Sequence, residues 1–525
     1  MKRKSEIPQP FGEHERNTGS VDAVVDGAAC DGTCNLGSDS DPGCNPGSGS
    51  NPGSSSDSDV PIEAGIPKHK RMVVLAVMIT GTFIASLSQS MLIAALPTIM
   101  DQFGVDATLG QLLTTSYIFT LGLISAMTAA LISKFNTKYL FMAAMTCFIV
   151  GCAAALFAPN YWLLLGARLL QAGGAGVALP LVQVVALSVY PKEQYGRAMG
   201  LVGLIIGFAP AIGPTVSGFM IDFWGWKSIF IILGSIVAVI TVASAFVLTD
   251  AAEHERERFD TLSAVLYTVG FVCFMIGVTA VESLGLGDVR AYVPSVVGTV
   301  ALIVFARRQF KIENPLLKLR CLTNRQFGIA TVLVAVTQIA LMVGAIMVPL
   351  FVQDIQGKTA MESGLTILPG AMLLGFLNPV TGRLLDKYGA RPLIAAGCTL
   401  LIVGTLVFVK FGAAAPAWVV TVTYGIRIVG VACLMMPMTA YGCAALPSDD
   451  LAQGTAIMTS FRQIFGAIGS SILVAVMTGN AETATGIDLF GFGVSFEVQA
   501  AIVFAGLVIG LAFIPRKRKT VAARV

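Results

Sequence analysis

A guanidinium in the middle of an apolar run is the first feature of this chain that invites chemistry. Arg168 lies in WLLLGARLLQAGGAGVALPL, which starts at Trp162, is long enough to cross a bilayer and holds no other charge. Arginine keeps its proton at any working pH, so in hydrocarbon it needs a carboxylate, a carbonyl or water. Three roles are open to it: tuning a nearby proton site, holding a substrate anion, or a structural tie to backbone carbonyls. Arg427 and Arg462 raise the same question in later apolar runs.

A second constellation is GRLLDKYGAR, with Gly382, Arg383, Asp386, Gly389 and Arg391. A carboxylate lodged at a helix end beside basic residues can pair with an Arg or Lys of its own loop or of a neighbouring helix. Such a pair forms a gate of charge-assisted hydrogen bonds, or an ordinary surface ion pair worth little. A third is the run MGLVGLIIGFAPAIGPTVSGFM, where Gly207, Pro210, Gly213, Pro214 and Gly218 predict an interrupted helix used as a hinge or a close interface. Ser88, Gln89, Gln171, Gln183, Gln338 and Asn378 are polar side chains on apolar spans; they line a cavity or bond across helices. Met342, Met347, Met435, Met436, Met438 and Phe376 offer an adaptable apolar wall, or a lipid-facing one. Asp222, Glu282, Asp354 and Glu362 fall at or near helix ends, and no acid is placed in the middle of a span.

The elements that must position these residues follow from composition. The 525 residues are 55% hydrophobic and 12% charged, about half the charged share of a soluble protein. Mean hydropathy is +0.77 and net charge +3, too small to argue for nucleic acid. Long apolar runs recur from Met72 to Ile514, which predicts an all-α polytopic membrane protein of about fourteen helices. They divide into a six-helix bundle over 72–249, two inserted helices over 261–306, a basic loop over 307–326 and a second six-helix bundle over 327–514. Residues 1–67, rich in Gly, Ser, Asp, Pro and Asn, are expected to be a disordered cytoplasmic tail, and 515–525 a basic one. MKRKSEIPQP is not followed by an apolar h-region, so the first span is expected to target itself. Cys30, Cys34 and Cys44 of the tail lack a partnering His motif, and no metal is expected.

Charge sets the orientation. Lys134 and Lys138, Lys192 and Arg197, Arg256 and Arg258, the cluster Arg307 to Arg325, and Arg383, Lys387 and Arg391 all fall in alternate loops. That bias predicts both termini in the cytoplasm of a cell-membrane protein. One loop on that side, Pro447 to Asp450, has no basic residue. The halves also repeat. LISKFNTKYLFMA from Leu131 lies over LLDKYGARPLIAA from Leu384, so Ser133 falls on Asp386, Lys134 on Lys387 and Lys138 on Arg391. Arg427, Pro437 and Pro447 echo Arg168, Pro180 and Pro191. Duplication about an axis along the membrane normal is what a carrier uses to rock one half against the other around a midplane site.

With these motifs in place, the chain resembles the major facilitator superfamily, and within it the fourteen-helix drug:proton antiporters, over about Met72 to Pro515. GRLLDKYGAR is similar to the family's Gly-x-Leu-x-Asp loop motif. RLLQAGGAG resembles its fourth-helix motif, with Ala172 at the first Gly, and GPTVSG its antiporter motif, with Ser217 in place of one Gly. ENPLL at Glu313 and FRQIFGAIG at Phe461 look like the same group. Ser88 stands where many members carry Asp, which is closer to the branch of lincomycin-resistance exporters. The resemblance implies multidrug efflux by alternating access, with no bound cofactor, a proton gradient as energy source, and a monomer whose partners are the bilayer, protons and a small amphiphile. The substitution at Ser88 shifts the expected substrate from permanent cations to neutral or zwitterionic amphiphiles. A dedicated exporter of one endogenous solute or lipid is the nearest alternative, and a membrane sensor or scaffold using the tail a more distant one. HExxH, Gly-x-Ser-x-Gly and Walker-type loops are absent, so neither an enzyme nor ATP drive is expected.

Overall fold

The computed structural model describes residues 68–514 apart from 106, 249–259, 285–288, 313–314 and 480–487. The expected tails, with Cys30, Cys34 and Cys44, lie outside the described residues. Fourteen α-helices run through the described residues. They are α1 Lys68–Phe103, α2 Ala107–Lys134, α3 Thr137–Leu156, α4 Tyr161–Val189, α5 Tyr195–Trp224, α6 Lys227–Val247, α7 Thr261–Leu284 and α8 Val289–Gln309. After a loop come α9 Arg325–Leu350, α10 Ala360–Tyr388, α11 Ala390–Val409, α12 Ala417–Cys443, α13 Leu451–Gly479 and α14 Leu489–Phe513. Eleven segments among them are long and apolar enough to cross a membrane, one for each helix except α5, α7 and α8. Backbone groups in lipid must be satisfied within the chain, which is why such runs become helices.

Two boundaries differ from expectation for a physical reason. The helix α1 runs on to Phe103 rather than ending near Leu96. The helix α14 starts at Leu489 rather than near 496, because Gly491, Gly493 and Ser495 break the apolar pattern yet are buried against the bundle. Asp488 caps it, accepting the Gly491 N–H at 2.8 Å. Glu497 is therefore not near a helix end. It lies about 12 Å into α14 and is exposed, so an acid lies well inside this helix although none was expected in the middle of a span.

The packing repeats from half to half. In the first, α4 packs on α1, α2 and α3, α1 on α5, and α6 on α1 and α3; in the second, α12 packs on α9, α10 and α11, α9 on α13, and α14 on α9 and α11. Across the divide α5 packs on α10, and α13 on α2, again as matching pairs. The first half has its own apolar core. The second half's core takes in Ala126, Ala129, Leu187, Tyr195 and Met199, all from the ends of α2, α4 and α5 that lead to the basic loops. The halves are thus packed together toward that basic face.

The inserted pair is a hairpin with a small-residue seam. A Cβ on Gly298 would overlap the Phe274 backbone, and one on Gly277 the Ser295 backbone. Its basic end is clamped by Arg308, which donates to both carboxylate oxygens of Asp260 and to Ser263 Oγ. Burial raises the Asp260 pKa, but hydrogen bonds from Ser263 and Arg308 outweigh it and hold the carboxyl below its usual range. The helix α7 lies against α2 and α13, with Phe271 close to both Gly122 and the neighbourhood of Gln463. The loop that follows returns to the second half. Lys318 Nζ reaches Asp450 at 3.1 Å, so the acidic loop at 447–450 shares its face with the basic one.

Candidate functional site

Between the halves, at mid-height, lies a cavity of about 230 Å³. Its apolar wall is Leu121, Leu179, Ile205 and Ala209 from the first half and Leu341, Met342 and Met435 from the second. Its polar groups are Ser86, Gln89, Ser90, Gln338, Arg462 and Gln463. Of the six polar residues proposed for a cavity, the structure places Gln89 and Gln338 there. Of the proposed methionines, Met342 and Met435 line it, while Met347, Met436 and Met438 are buried in the second core and Phe376 is exposed, packing edge-on against Phe208 at 4.8 Å.

The other four polar candidates do different work, each because of where its helix turns it. Ser88 and Gln171 face away from the cavity and hold Arg168. The Arg168 Nη1 donates to Ser88 Oγ at 2.9 Å and to Gln171 Oε1 at 2.6 Å, and Nη2 points at the Ser88 carbonyl at 3.5 Å. Its guanidinium stacks on the Tyr117 ring at 4.2 Å, and Tyr117 itself donates to the Ala85 carbonyl at 3.0 Å. Gln171 in turn donates to Cys152 Sγ at 3.2 Å. Arg168 thus ties α4 to α1 and α2. Gln183 and Asn378 bridge the halves instead: Thr459 Oγ1 donates to Gln183 Oε1 at 3.3 Å, and Asn378 Nδ2 to the Gly203 carbonyl at 2.7 Å.

Arg427 repeats the Arg168 arrangement in the second half. Its Nη2 donates to the Ala340 carbonyl at 3.2 Å and to Gln499 Oε1 at 2.9 Å, and its guanidinium lies 5.0 Å from the Phe496 ring and 5.6 Å from Phe408. It too ties the fourth helix of its half to the first. Arg462 differs. It is 5% exposed, it lines the cavity, and it has no hydrogen bond or ion pair with the described residues.

Asp386 sits near the end of α10 at the basic face, and it bonds across to the opposite half. Its two oxygens accept the backbone N–H groups of Gly196 and Arg197, both at 2.8 Å, from the first turn of α5. The α5 N-cap, Gln194, makes no side-chain capping bond, so the opposite half caps this helix. Gly389 ends α10 at φ 82°, a left-handed conformation that turns the chain sharply into α11. Arg391 reaches the Ile514 carbonyl at 3.3 Å, Arg383 is exposed, and Lys387 lies over its neighbour Tyr388. The first-half copy does not form the same latch. Ser133 donates back to the Ala130 carbonyl of its own helix, Lys134 lies over Phe135, and Lys138 stays in the first turn of α3.

The backbone of α5 is helical through Pro210 and Pro214, not interrupted. Its glycines serve approach. A Cβ on Gly207 would overlap the Gly375 backbone, one on Gly196 the Gly382 carbonyl, and one on Gly203 would come within 2.7 Å of Asn378 Cβ. Gly213 lets α1 close in, with Ser90 Oγ donating to the Ala209 carbonyl at 2.9 Å. Gly218 meets nothing, so it is not an interface glycine. Sequence inspection missed Gly375, although its spacing to Asn378 and Gly382 puts all three on one helix face. It also missed Tyr117, Gln463 and Gln499, which no local pattern marks.

The latch makes one expectation concrete. Asp386→Ala removes two charge-assisted bonds, each worth about 1.5–3 kcal/mol. Spin labels at positions 193 and 388 should then report a wider and longer distance between the basic ends of α5 and α10, whereas Ser133→Ala should leave it unchanged. An unaltered distance in Asp386→Ala would rule the latch out.

Two matched helical halves around a mid-height cavity, latched on one face, define a membrane carrier and not an enzyme. The family model for the Major Facilitator Superfamily matches residues 78–470, and the chain belongs to that transporter family. The chain is 38% identical over 446 residues to the uncharacterized MFS-type transporter YcnB of Bacillus subtilis, covering 84% of this chain and 94% of that one. It is 32% identical over 412 residues to the lincomycin resistance protein LmrB of the same organism, covering 78% and 86%. Among solved structures, the human organic anion transporter MFSD10 superposes with a TM-score of 0.62 at 11% identity, covering 85% of this chain and all of that one, which shows the shared fold.

Proposed function

We propose that this transporter is a secondary active exporter of hydrophobic drugs or metabolites, exchanging them for protons by alternating access. The observation that carries this reading is the mid-height cavity between halves joined at the basic face by a releasable carboxylate–helix latch. Release of Asp386 and separation of α5 from α10 opens the cavity to the basic face, which we place in the cytoplasm. Re-closure opens it to the other side. The similarity to a lincomycin-resistance protein supports drug export. The protein works as a monomer in the cell membrane.

Energy dependence tests the proposal. Purified full-length protein in proteoliposomes should accumulate a lipophilic fluorescent probe only when a pH gradient is imposed, and a protonophore should abolish accumulation. Transport indifferent to the gradient would reject proton exchange. Protection of a sensitive host against chemically unrelated compounds is expected; protection against a single compound would favour a dedicated exporter.

A further inference from the structure

We propose that the cavity takes an amphiphilic anion: a carboxylate, sulfonate or phosphate head on Arg462, with an apolar body of about two rings against Leu121, Leu179, Ile205, Met342 and Met435. The inference deepens the transporter reading and rests on it for the fate of the bound molecule. It stands on a contrast among three buried arginines. Arg168 and Arg427 are tied to carbonyl and amide oxygens within their own halves, with aromatic rings beside them, and neither lines the cavity. Arg462 is buried too, at 5% exposure, but it lines the cavity and has no partner among the described residues. A buried charge without a counter-charge is costly, and the cost is relieved by an anion that brings its own acceptor oxygens.

The remainder of the lining agrees. It holds no Asp or Glu, so Arg462 is its single formal charge. Gln89, Gln463 and Ser86 supply amide and hydroxyl donors for a second anionic oxygen. Gln338 lies against Gly466, one turn along α13 from Arg462, and its buried Oε1 has no partner. A cation would set a like charge beside a buried guanidinium, so the same group that attracts anions excludes amines. The volume is below the usual range of about 300–1,000 Å³ for drug-sized sites, which limits the apolar body.

The test uses three probes with one aromatic body: naphthoate, naphthamide and naphthylmethylamine. Binding to the purified full chain in nanodiscs should favour naphthoate over naphthamide by about tenfold to a hundredfold, as one charge-assisted hydrogen bond provides, with the amine weakest. Arg462→Gln should bring naphthoate to within about twofold of naphthamide, and Arg462→Lys should retain part of the preference. If Arg462→Gln does not yield folded protein, Gln338→Glu carries the test. It keeps Arg462 but gives it a fixed counter-charge, and the naphthoate preference should vanish. Equal or tighter binding of the amine in the wild type, absence of naphthoate binding, or an unchanged preference in either variant would overturn the assignment. Transport of the probes without charge preference would remove this inference and leave the carrier reading intact. Charge-selective binding with no transport of any probe would do the opposite.

Discussion

Arg168→Ala is expected to reduce efflux to background in cells that still insert the protein at normal abundance. The side chain is fully buried and joins three helices: α4, which carries it, α1 through Ser88, and α2 through the Tyr117 ring. Each hydrogen bond that the charged guanidinium makes is worth about 1.5–3 kcal/mol. Here the loss falls where α1 presents Gln89 and Ser90 to the cavity, next to the Ser88 that Arg168 holds. Arg168→Lys keeps the charge but not the planar fork, and should retain only a small fraction of transport. Membrane abundance and thermal unfolding, measured beside efflux, separate a positional effect from a folding failure. Undiminished efflux in Arg168→Ala would remove the role given to this arginine.

Gly207→Leu should block transport at least as completely, by a different cause. The backbones of α5 and α10 touch at Gly207 and Gly375, and a side chain there meets backbone, which cannot move aside as a side-chain tip does. The leucine becomes a wedge, and the seam cannot close. Spin-label distances between α5 and α10 should lengthen and transport should fall by more than about tenfold, since overpacking of this kind costs about 1–3 kcal/mol or more. Gly218→Leu on the same helix is the control. A Cβ there meets nothing, so transport should be close to wild type. Equal damage from both substitutions would show that helix propensity, not the seam, is at stake.

Much of this architecture is legible in the chain. Apolar length dictates helices because hydrocarbon offers no hydrogen bonds, so the order of the long helices follows from sequence. The repeat of LLDKYGAR over LISKFNTK marks the duplication, and an arginine in a greasy run must face inward whatever its partner. Rotation of each helix about its own axis is another matter. These spans are apolar on every side, so periodicity gives no phase. The sequence therefore named Ser88, Gln171, Gln183 and Asn378 as polar without revealing that two brace Arg168 and two bridge the halves. Nor does a backbone amide leave a signature in the chain. That Asp386 accepts from the first turn of α5 depends on the long intervening stretch folding the two halves face to face. The amino-acid order alone determined which segments cross the membrane and which charges they carry. Only tertiary packing decided that Arg168 and Arg427 are tied while Arg462 faces the cavity, because a side chain's partner is set by which neighbouring helix closes on it.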